Sequence, residues 1–179
     1  FLKEIGSTFL QFIPIVEREA DQAGDDGLEL VLPEFEQEAK VAPWSVRPEP
    51  LGEFLVAVFN EWVRKDVGRI FVQYFDVALA AYTGSPPGLC VFNETCGDAL
   101  ALEHSGDLYA CDHFVYPQYH LGNILNESIA ELAGKAQQRK FGTDKRDTLP
   151  KYCRECEVRF ACNGDCPKHR FATTPDGEQ

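Results

Sequence analysis

The spacing of seven cysteines constrains this 179-residue chain more than any other feature of its sequence. All of them lie in the second half, in the order Cys90-x5-Cys96-x14-Cys111, a gap of 41 residues, then Cys153-x2-Cys156-x5-Cys162-x3-Cys166. Thiolates are the ligands that soft metal centres prefer. Short, uneven cysteine spacings of this kind therefore predict a fold organised around metal or disulfide chemistry.

Three kinds of site compete for these cysteines. Disulfides suit small secreted chains, but the cysteine count is odd and the N-terminus does not have the form of a signal peptide. The four cysteines that follow the gap could form a single all-thiolate zinc site, but the first three cysteines would then have no ligand role. Iron–sulfur clusters, with four thiolate ligands for each cubane, give a purpose to both groups.

The last cysteine of the series precedes a proline, in the pair Cys166-Pro167. In bacterial two-cluster ferredoxins, the fourth cysteine of such a run ligates the other cluster. By this analogy, Cys166 ligates a different cluster from the three cysteines that precede it in the sequence. The first auxiliary cluster is then held by Cys90, Cys96, Cys111 and Cys166, and the second by Cys153, Cys156 and Cys162. We expect the missing fourth ligand of the second cluster beyond Gln179.

Charge and hydropathy narrow the possible partners. The formal net charge is −12, so the chain has few cations to offer to a nucleic-acid backbone or to an anionic membrane. No run of 18 apolar residues is present, and a transmembrane helix is therefore not predicted. We expect a cytoplasmic protein that binds neither nucleic acid nor membrane.

The residues before the cysteines predict an α/β arrangement. Residues 8–16 are almost continuously apolar, which is typical of a strand buried on both faces. A loop with a short strand near residues 28–32 follows, then a helix that begins at Pro50 and ends at Asp66-Val67-Gly68. Residues 70–75 predict a strand and residues 77–82 a short helix. This order favours the tail of an α/β barrel or an open sheet.

A glycine- and proline-rich loop at residues 84–88 marks the predicted boundary between domains 1–84 and 85–179. In the second domain, residues 99–103 and 108–111 predict a β-hairpin with Gly106 in its turn. The segment Asn126-Glu127-Ser128 predicts the cap of a helix that continues to about Arg139. We expect little regular structure in the tail after Cys153.

Several of these motifs resemble a known family. The cysteine pattern with Gly106 is similar to the SPASM domain, the C-terminal extension of many radical-SAM enzymes that carries two clusters. The family pattern ends with one further cysteine, which this chain lacks. Within that superfamily, three segments resemble the anaerobic sulfatase-maturating enzymes. They are Cys111-Asp112-His113-Phe114-Val115-Tyr116-Pro117, Leu121-Gly122-Asn123-Ile124 and Gln11-Phe12-Ile13-Pro14-Ile15-Val16-Glu17.

The resemblance implies the end of a partial radical-SAM (β/α) barrel followed by a small, loop-rich SPASM domain. It implies an oxidoreductase that converts a Cys or Ser of a sulfatase polypeptide to Cα-formylglycine, with a ferredoxin or flavodoxin as electron acceptor. Its cofactors would be two auxiliary [4Fe–4S] clusters here, and S-adenosylmethionine with a third [4Fe–4S] cluster in the intact enzyme. The family holds that third cluster on a Cys-x3-Cys-x2-Cys loop, which is absent here. We therefore expect a fragment that is inactive alone, and we assign no residue to S-adenosylmethionine.

Asp112 directly follows a predicted cluster ligand. The resemblance implies that it is the catalytic general base, which takes a proton from the target side chain. We expect it to be buried beside the cluster. The simpler alternative is that its carboxylate only accepts backbone hydrogen bonds near the end of the hairpin. His113 is assigned no role.

Two other functions compete with sulfatase maturation. A SPASM maturase that modifies another peptide would share the cysteine pattern, and the Asp112 motif argues against it. A non-catalytic zinc-binding module would contain zinc and no iron.

Overall fold

The computed structural model describes residues 1–17 and 41–170. The predicted strand near residues 28–32 lies outside this part of the chain. The described residues up to Pro87 form one compact unit, and those from Gly88 onward belong to a second. The assignment of domains 1–84 and 85–179 to a barrel and a SPASM domain stays a prediction, because compactness alone does not identify a domain.

The first unit has the predicted order of strand, helix, strand, helix. Strand β1 (Phe9–Leu10) pairs in parallel with β2 (Phe71–Val72), and helix α1 (Pro48–Lys65) lies between them in sequence. Helix α2 (Gln73–Tyr82) follows β2 directly. The result is a mixed α/β unit, as parallel pairing through a helical connection requires. That the unit is the end of a barrel stays a prediction.

The strand expected over residues 8–16 is much shorter and is not buried on both faces. Only Phe9 and Leu10 pair with another strand. Farther along, Ile13 is 73% exposed and Ile15 is 59% exposed. Among the described residues β1 has a single neighbour, β2. Beyond the pairing, the ring of Phe12 packs edge-on against Phe54 of α1, so only one side of this segment is partly covered.

Helix α1 begins at Pro48, two residues before the predicted start, and ends before Asp66 as predicted. Proline is favoured in the first helical turn because its missing N–H would have had no partner there. Asp66 is 6% exposed and pairs with the ammonium of Lys3 at 2.8 Å. The indole N–H of Trp62 donates to the carbonyl of Ile70 at 2.7 Å, which fixes the helix end against the start of β2.

A three-stranded antiparallel sheet begins the second unit. The predicted hairpin is present as β3 (Ala101–Leu102) and β4 (Asp107–Tyr109), and Gly106 adopts φ +89° in its turn. A third strand, β5 (His120–Asn123), pairs with the other side of β4 and was not predicted. The sequence did not predict β5 because it contains Gly122, and glycine is uncommon inside strands. It is needed here, since a Cβ would lie 2.6 Å from Cδ2 of Leu132.

The small core of this unit joins the sheet to a short helix. Leu108, Leu121 and Leu132 form a buried cluster, in which Leu132 from helix α3 (Ile129–Ala133) is 0% exposed. Ser128 caps α3 as predicted, in a capping box with Glu131.

The single helix predicted to run to Arg139 is wrong. The structure has α3 and then a separate helix α4 (Ala136–Asp147), with Lys135 in an extended conformation between them. The break lets the Lys135 ammonium reach the carbonyl of Leu121 at 2.6 Å and the carboxylate of Glu127 at 3.0 Å. Ile129 and Ala136, which one continuous helix would place on the same face as the buried Leu132, are exposed.

The remaining elements are short. Helices α5 (Lys151–Arg154) and α6 (Arg159–Cys162) have four residues each, and 3₁₀ turns cover Cys90–Phe92, Pro117–Tyr119 and Pro167–His169. No helix in the described ranges is long and apolar enough to cross a membrane.

Candidate metal centre

One face of α4 is buried although its residues are polar or small. The buried residues are Gln138, Gly142 and Lys145. Residues spaced four and three positions apart lie on the same side of a helix. Each of the three contacts backbone next to a cysteine, so α4 positions several cysteines at once.

Gln138 joins α4 to two cysteine segments. Its side-chain amide donates to the carbonyl oxygens of Gly97 at 2.7 Å and Ala110 at 2.9 Å. Gly97 follows Cys96 in the sequence, and Ala110 precedes Cys111. One side chain therefore fixes the backbone beside two cysteines that are far apart in the sequence.

Gly142 and Lys145 extend the contact along the helix. The N–H of Cys96 donates to the carbonyl of Gly142 at 3.1 Å. The ammonium of Lys145 donates to the carbonyl oxygens of Cys90 and Val91, both at 2.8 Å. Helix α4 thus contacts the backbone at or beside each of the first three cysteines.

The thiols of Cys111 and Cys166 lie in a desolvated environment. Burial raises the pKa of Cys111 to about 12 and the pKa of Cys166 to about 11. Hydrogen bonds from the backbone N–H groups of His113 and Lys168 oppose this by favouring the thiolate forms. A metal binds the thiolate, so binding at these cysteines must release protons.

Charge effects connect the four cysteines that were predicted for the first cluster. After burial, the charge on Cys90 contributes to the raised pKa values of Cys96 and Cys166. The charge on Cys166 contributes in the same way to the raised pKa of Cys111. These effects link the thiols pairwise, Cys96 with Cys90, Cys90 with Cys166 and Cys166 with Cys111. Their role as a ligand set stays a prediction.

Asp112 is exposed, so the expectation that it is buried is wrong. The Cys111 thiol donates to its Oδ1 at 3.1 Å. The next residue, His113, places Nδ1 3.2 Å from the sulfur of Cys166. Sequence reasoning gave His113 no role, yet the structure places its ring nitrogen against one predicted ligand and its backbone N–H against another.

The cysteines after the long gap lie on short elements. Cys153 lies in α5, Cys162 ends α6, and Cys156 lies between the two helices. Residues 163–165 then adopt positive φ values of 51°, 74° and 55°. Residues other than glycine rarely adopt this conformation. The N–H of Asp165 donates to the carbonyl of Cys162 at 3.2 Å, so a turn at residues 163–165 lies between Cys162 and Cys166.

The side chain of Arg170 lies near cysteines of both predicted sets. Burial lowers its pKa, and the charges of Cys153, Cys166 and Cys96 oppose that shift. Its Nη1 donates to the carbonyl of Lys145 at 2.8 Å. Its Nη2 atom is buried and makes no hydrogen bond within the described part of the chain. The cysteine region therefore contains a buried cationic donor that lacks an acceptor.

These observations fit iron–sulfur clusters better than the alternatives. None of the seven cysteines, all of which lie within the described residues, forms a disulfide. A tetrahedral zinc ion with bonds of about 2.3 Å would bring its four sulfurs to within about 4 Å of one another. In the described residues no three cysteine sulfurs lie within 4.8 Å of one another, and the one compact donor group is Cys111, Asp112 and His113. A cubane binds each thiolate to a different iron and spreads its ligands more widely.

Sequence reasoning missed the buried residues of α4. It ended the helix at Arg139, before Gly142 and Lys145. The segment has no apolar repeat, because its buried face makes polar contacts to backbone. Hydrophobic periodicity therefore could not predict the buried face of α4. The one local signal of a close packing contact was Gly142, a glycine inside an otherwise good helical sequence.

Comparison with known proteins matches these features. The SPASM family model, described as an iron-sulfur cluster-binding domain, matches residues 90–157. A serine-type anaerobic sulfatase-maturating enzyme of Bacteroides thetaiotaomicron is 47% identical over 178 residues, which are 99% of this chain and 42% of that protein. A cysteine-type enzyme of Clostridium perfringens is 26% identical over 172 residues, 95% of this chain and 42% of that protein.

Solved structures of a sulfatase-maturating enzyme also resemble this chain in fold. The chain superimposes on anSMEcpe with bound AdoMet at a TM-score of 0.74 and 25% identity, covering 99% of this chain and 43% of that one. A second structure, of anSMEcpe with AdoMet and the Kp18Cys peptide, gives a TM-score of 0.74, again at 25% identity, with coverage of 99% and 45%. The chain thus spans about two fifths of the length of the curated relatives it matches.

Proposed function

The chain belongs with the anaerobic sulfatase-maturating enzymes, whose C-terminal part it matches, and on that premise we propose that it is the auxiliary-cluster part of an enzyme that oxidises a Cys or Ser of a sulfatase to Cα-formylglycine. The identity with the serine-type relative and the SPASM match support this proposal. The peptide-bound structure of a relative supports a polypeptide as the substrate. The order of β1, α1, β2 and α2 supports the end of a barrel in the first unit.

In this proposal, the two cysteine sets each hold one auxiliary [4Fe–4S] cluster. Cys90, Cys96, Cys111 and Cys166 hold the first, and Cys153, Cys156 and Cys162 contribute to the second. When bound, S-adenosylmethionine and the third cluster of the intact enzyme would supply the removal of one hydrogen atom from the target Cβ. The auxiliary clusters would offer the second electron a path to a ferredoxin or flavodoxin. The proton goes to a general base, and a Cys target also needs water, which replaces its sulfur as hydrogen sulfide. The chain itself positions the thiolates, through α4 and the turn at residues 163–165.

Asp112 acts as the general base in this proposal, and one observation carries its role. Its carboxylate is exposed, and in the metal-free chain it accepts a hydrogen bond from the Cys111 thiol. Metal binding requires the Cys111 thiolate, so that donor is lost when a cluster binds. The carboxylate then has a free acceptor site beside the cluster, where it can take the proton of a substrate thiol or hydroxyl.

Two measurements test the proposal. Anaerobic reconstitution of the chain should give bound iron, acid-labile sulfide and a visible charge-transfer band, because the donor set suits clusters. Mass spectrometry of a sulfatase-derived peptide, incubated with the enzyme that contains this chain, should show formylglycine at one residue. Stoichiometric zinc without iron would contradict the cluster assignment. An iron-loaded enzyme that leaves the sulfatase peptide unmodified would point to another peptide substrate.

A further inference from the structure

Lys145 is a buried cation on the face of α4 that contacts the cysteine segments. It is 1% exposed, and its ammonium donates to the carbonyl oxygens of Cys90 and Val91, both at 2.8 Å. Within the described residues no carboxylate forms an ion pair with it. The nearby Asp165 pairs instead with the ring of His169 at 2.8 Å.

A buried ammonium that has only two carbonyl partners is costly for the fold, because water no longer solvates its charge. Its surroundings nevertheless contain groups that can become anionic. Both acceptors of the ammonium belong to the segment of Cys90, and Gly142, one turn earlier on the same helix, contacts the backbone of Cys96. The cation therefore lies beside two of the four cysteines of the first predicted set.

The backbone of α4 holds this charge in place. The carbonyl of Lys145 accepts a hydrogen bond from Arg170 at 2.8 Å. One turn earlier, Gly142 lies directly against the backbone of Cys96. The ammonium is held from both ends, by the fixed backbone of α4 and by its two hydrogen bonds to the carbonyls of Cys90 and Val91.

We propose that Lys145 is the buried countercharge of the cluster held by Cys90, Cys96, Cys111 and Cys166, and that it is a positioning residue which raises the reduction potential of that cluster. The inference rests on the proposed function, since it requires the cluster. Reduction adds one negative charge to the cluster, and a fixed positive charge nearby favours the more negative state. A residue that only braced the Cys90–Phe92 turn through hydrogen bonds would leave the potential unchanged.

The test replaces Lys145 by a neutral side chain of similar length. All variants carry Cys153→Ala and Cys156→Ala, so that only the first set can load a cluster and the EPR signal of the reduced protein belongs to it. In an EPR-monitored redox titration, Lys145→Met should lower the equilibrium constant for one-electron reduction at least tenfold, a shift of about 59 mV to more negative potential. Lys145→Arg, which keeps the charge, should stay close to the parent.

Lys140→Met is the matched control on the same helix. Its ammonium is exposed and pairs with Asp144 at 2.6 Å, so its loss should leave the potential of the cluster unchanged. Circular dichroism of each metal-free variant checks that α4 still forms. Iron and sulfide content then separate the loss of a cluster from a shift in its potential.

Each outcome decides the proposal. A shifted potential in Lys145→Met with a normal potential in Lys145→Arg supports it. An unchanged potential in Lys145→Met overturns it. Loss of iron from Lys145→Met, with or without loss from Lys145→Arg, also overturns it, because that loss identifies a brace of the Cys90–Phe92 turn and not a charge that sets the potential. A parent chain that binds no iron would overturn the proposed function, which is a distinct result.

Discussion

A Cβ on Gly142 would lie 2.2 Å from the carbonyl oxygen of Cys96. The contact is to backbone, so no side-chain rotation can relieve it. In the opposite direction, the N–H of Cys96 donates to the carbonyl of Gly142 at 3.1 Å. The two backbones therefore touch, and the position of a predicted cluster ligand depends on the absence of a side chain on the neighbouring helix.

Gly142→Ala should destabilise the chain and impair loading of the first cluster. The added methyl forces α4 away from Cys96, and overpacking of this kind typically costs about 1–3 kcal/mol. Urea denaturation and the iron content after reconstitution measure the two effects. Gly52→Ala is the matched control, since no described residue outside the local helix backbone lies within 4 Å of its Cβ position in α1. A Gly142→Ala chain as stable as the parent would show that α4 can shift freely.

Asp112→Ala should sharply lower formylglycine formation while leaving the iron content unchanged. A general base typically contributes about 10²–10⁴-fold in rate, and a carboxylate beside the ligand is not needed to bind iron. The measurement is mass spectrometry of a sulfatase-derived peptide with the intact enzyme. Asp147→Ala removes another exposed carboxylate, which pairs with Arg146, and serves as the control. If the Asp112→Ala enzyme binds all its iron and turns over normally, Asp112 is not the general base, and its only role is to accept the hydrogen bond from Cys111.

Cys166→Ala and Cys162→Ala should have different effects, although the two residues are close in sequence. Cys166→Ala should abolish the first cluster, because it removes one of four ligands. Cys162→Ala should leave that cluster in place and affect only the second. EPR spectra and iron content of the two reconstituted variants distinguish these results. If both substitutions abolish the same signal, the two cysteines belong to one site and the ferredoxin analogy fails.

Leu132→Ala should cost about 2–5 kcal/mol of unfolding free energy, the usual range for truncating a fully buried leucine. Leu132 is 0% exposed and packs against Leu108 and Leu121 in a small core. Leu125, which is 81% exposed, provides the control, and Leu125→Ala should stay within about 0.5 kcal/mol of the parent. Urea denaturation of the metal-free chain measures both changes. If Leu132→Ala lowers the unfolding free energy by less than about 1 kcal/mol, this leucine cluster is not the main source of stability of the sheet.

The sequence alone predicted the features that depend on local geometry or on ligand chemistry. Gly106 identified the hairpin turn because its φ is positive, and Ser128 identified a helix start because its side chain caps the first turn. The cysteine spacing predicted the SPASM domain, which the family comparison confirms, because neighbouring ligands of a cluster must come from short segments of fixed length.

The tertiary structure decided what depends on contacts between distant segments. It placed Gln138, Gly142 and Lys145 on a buried polar face that no hydrophobic pattern marks, because their partners are backbone atoms up to 55 positions away. It also left Asp112 exposed, and it brought His113 to the sulfur of Cys166, 53 positions later. Spacing in a sequence specifies which residues can ligate a cluster, whereas the packing of α4 decides which charges and donors surround it.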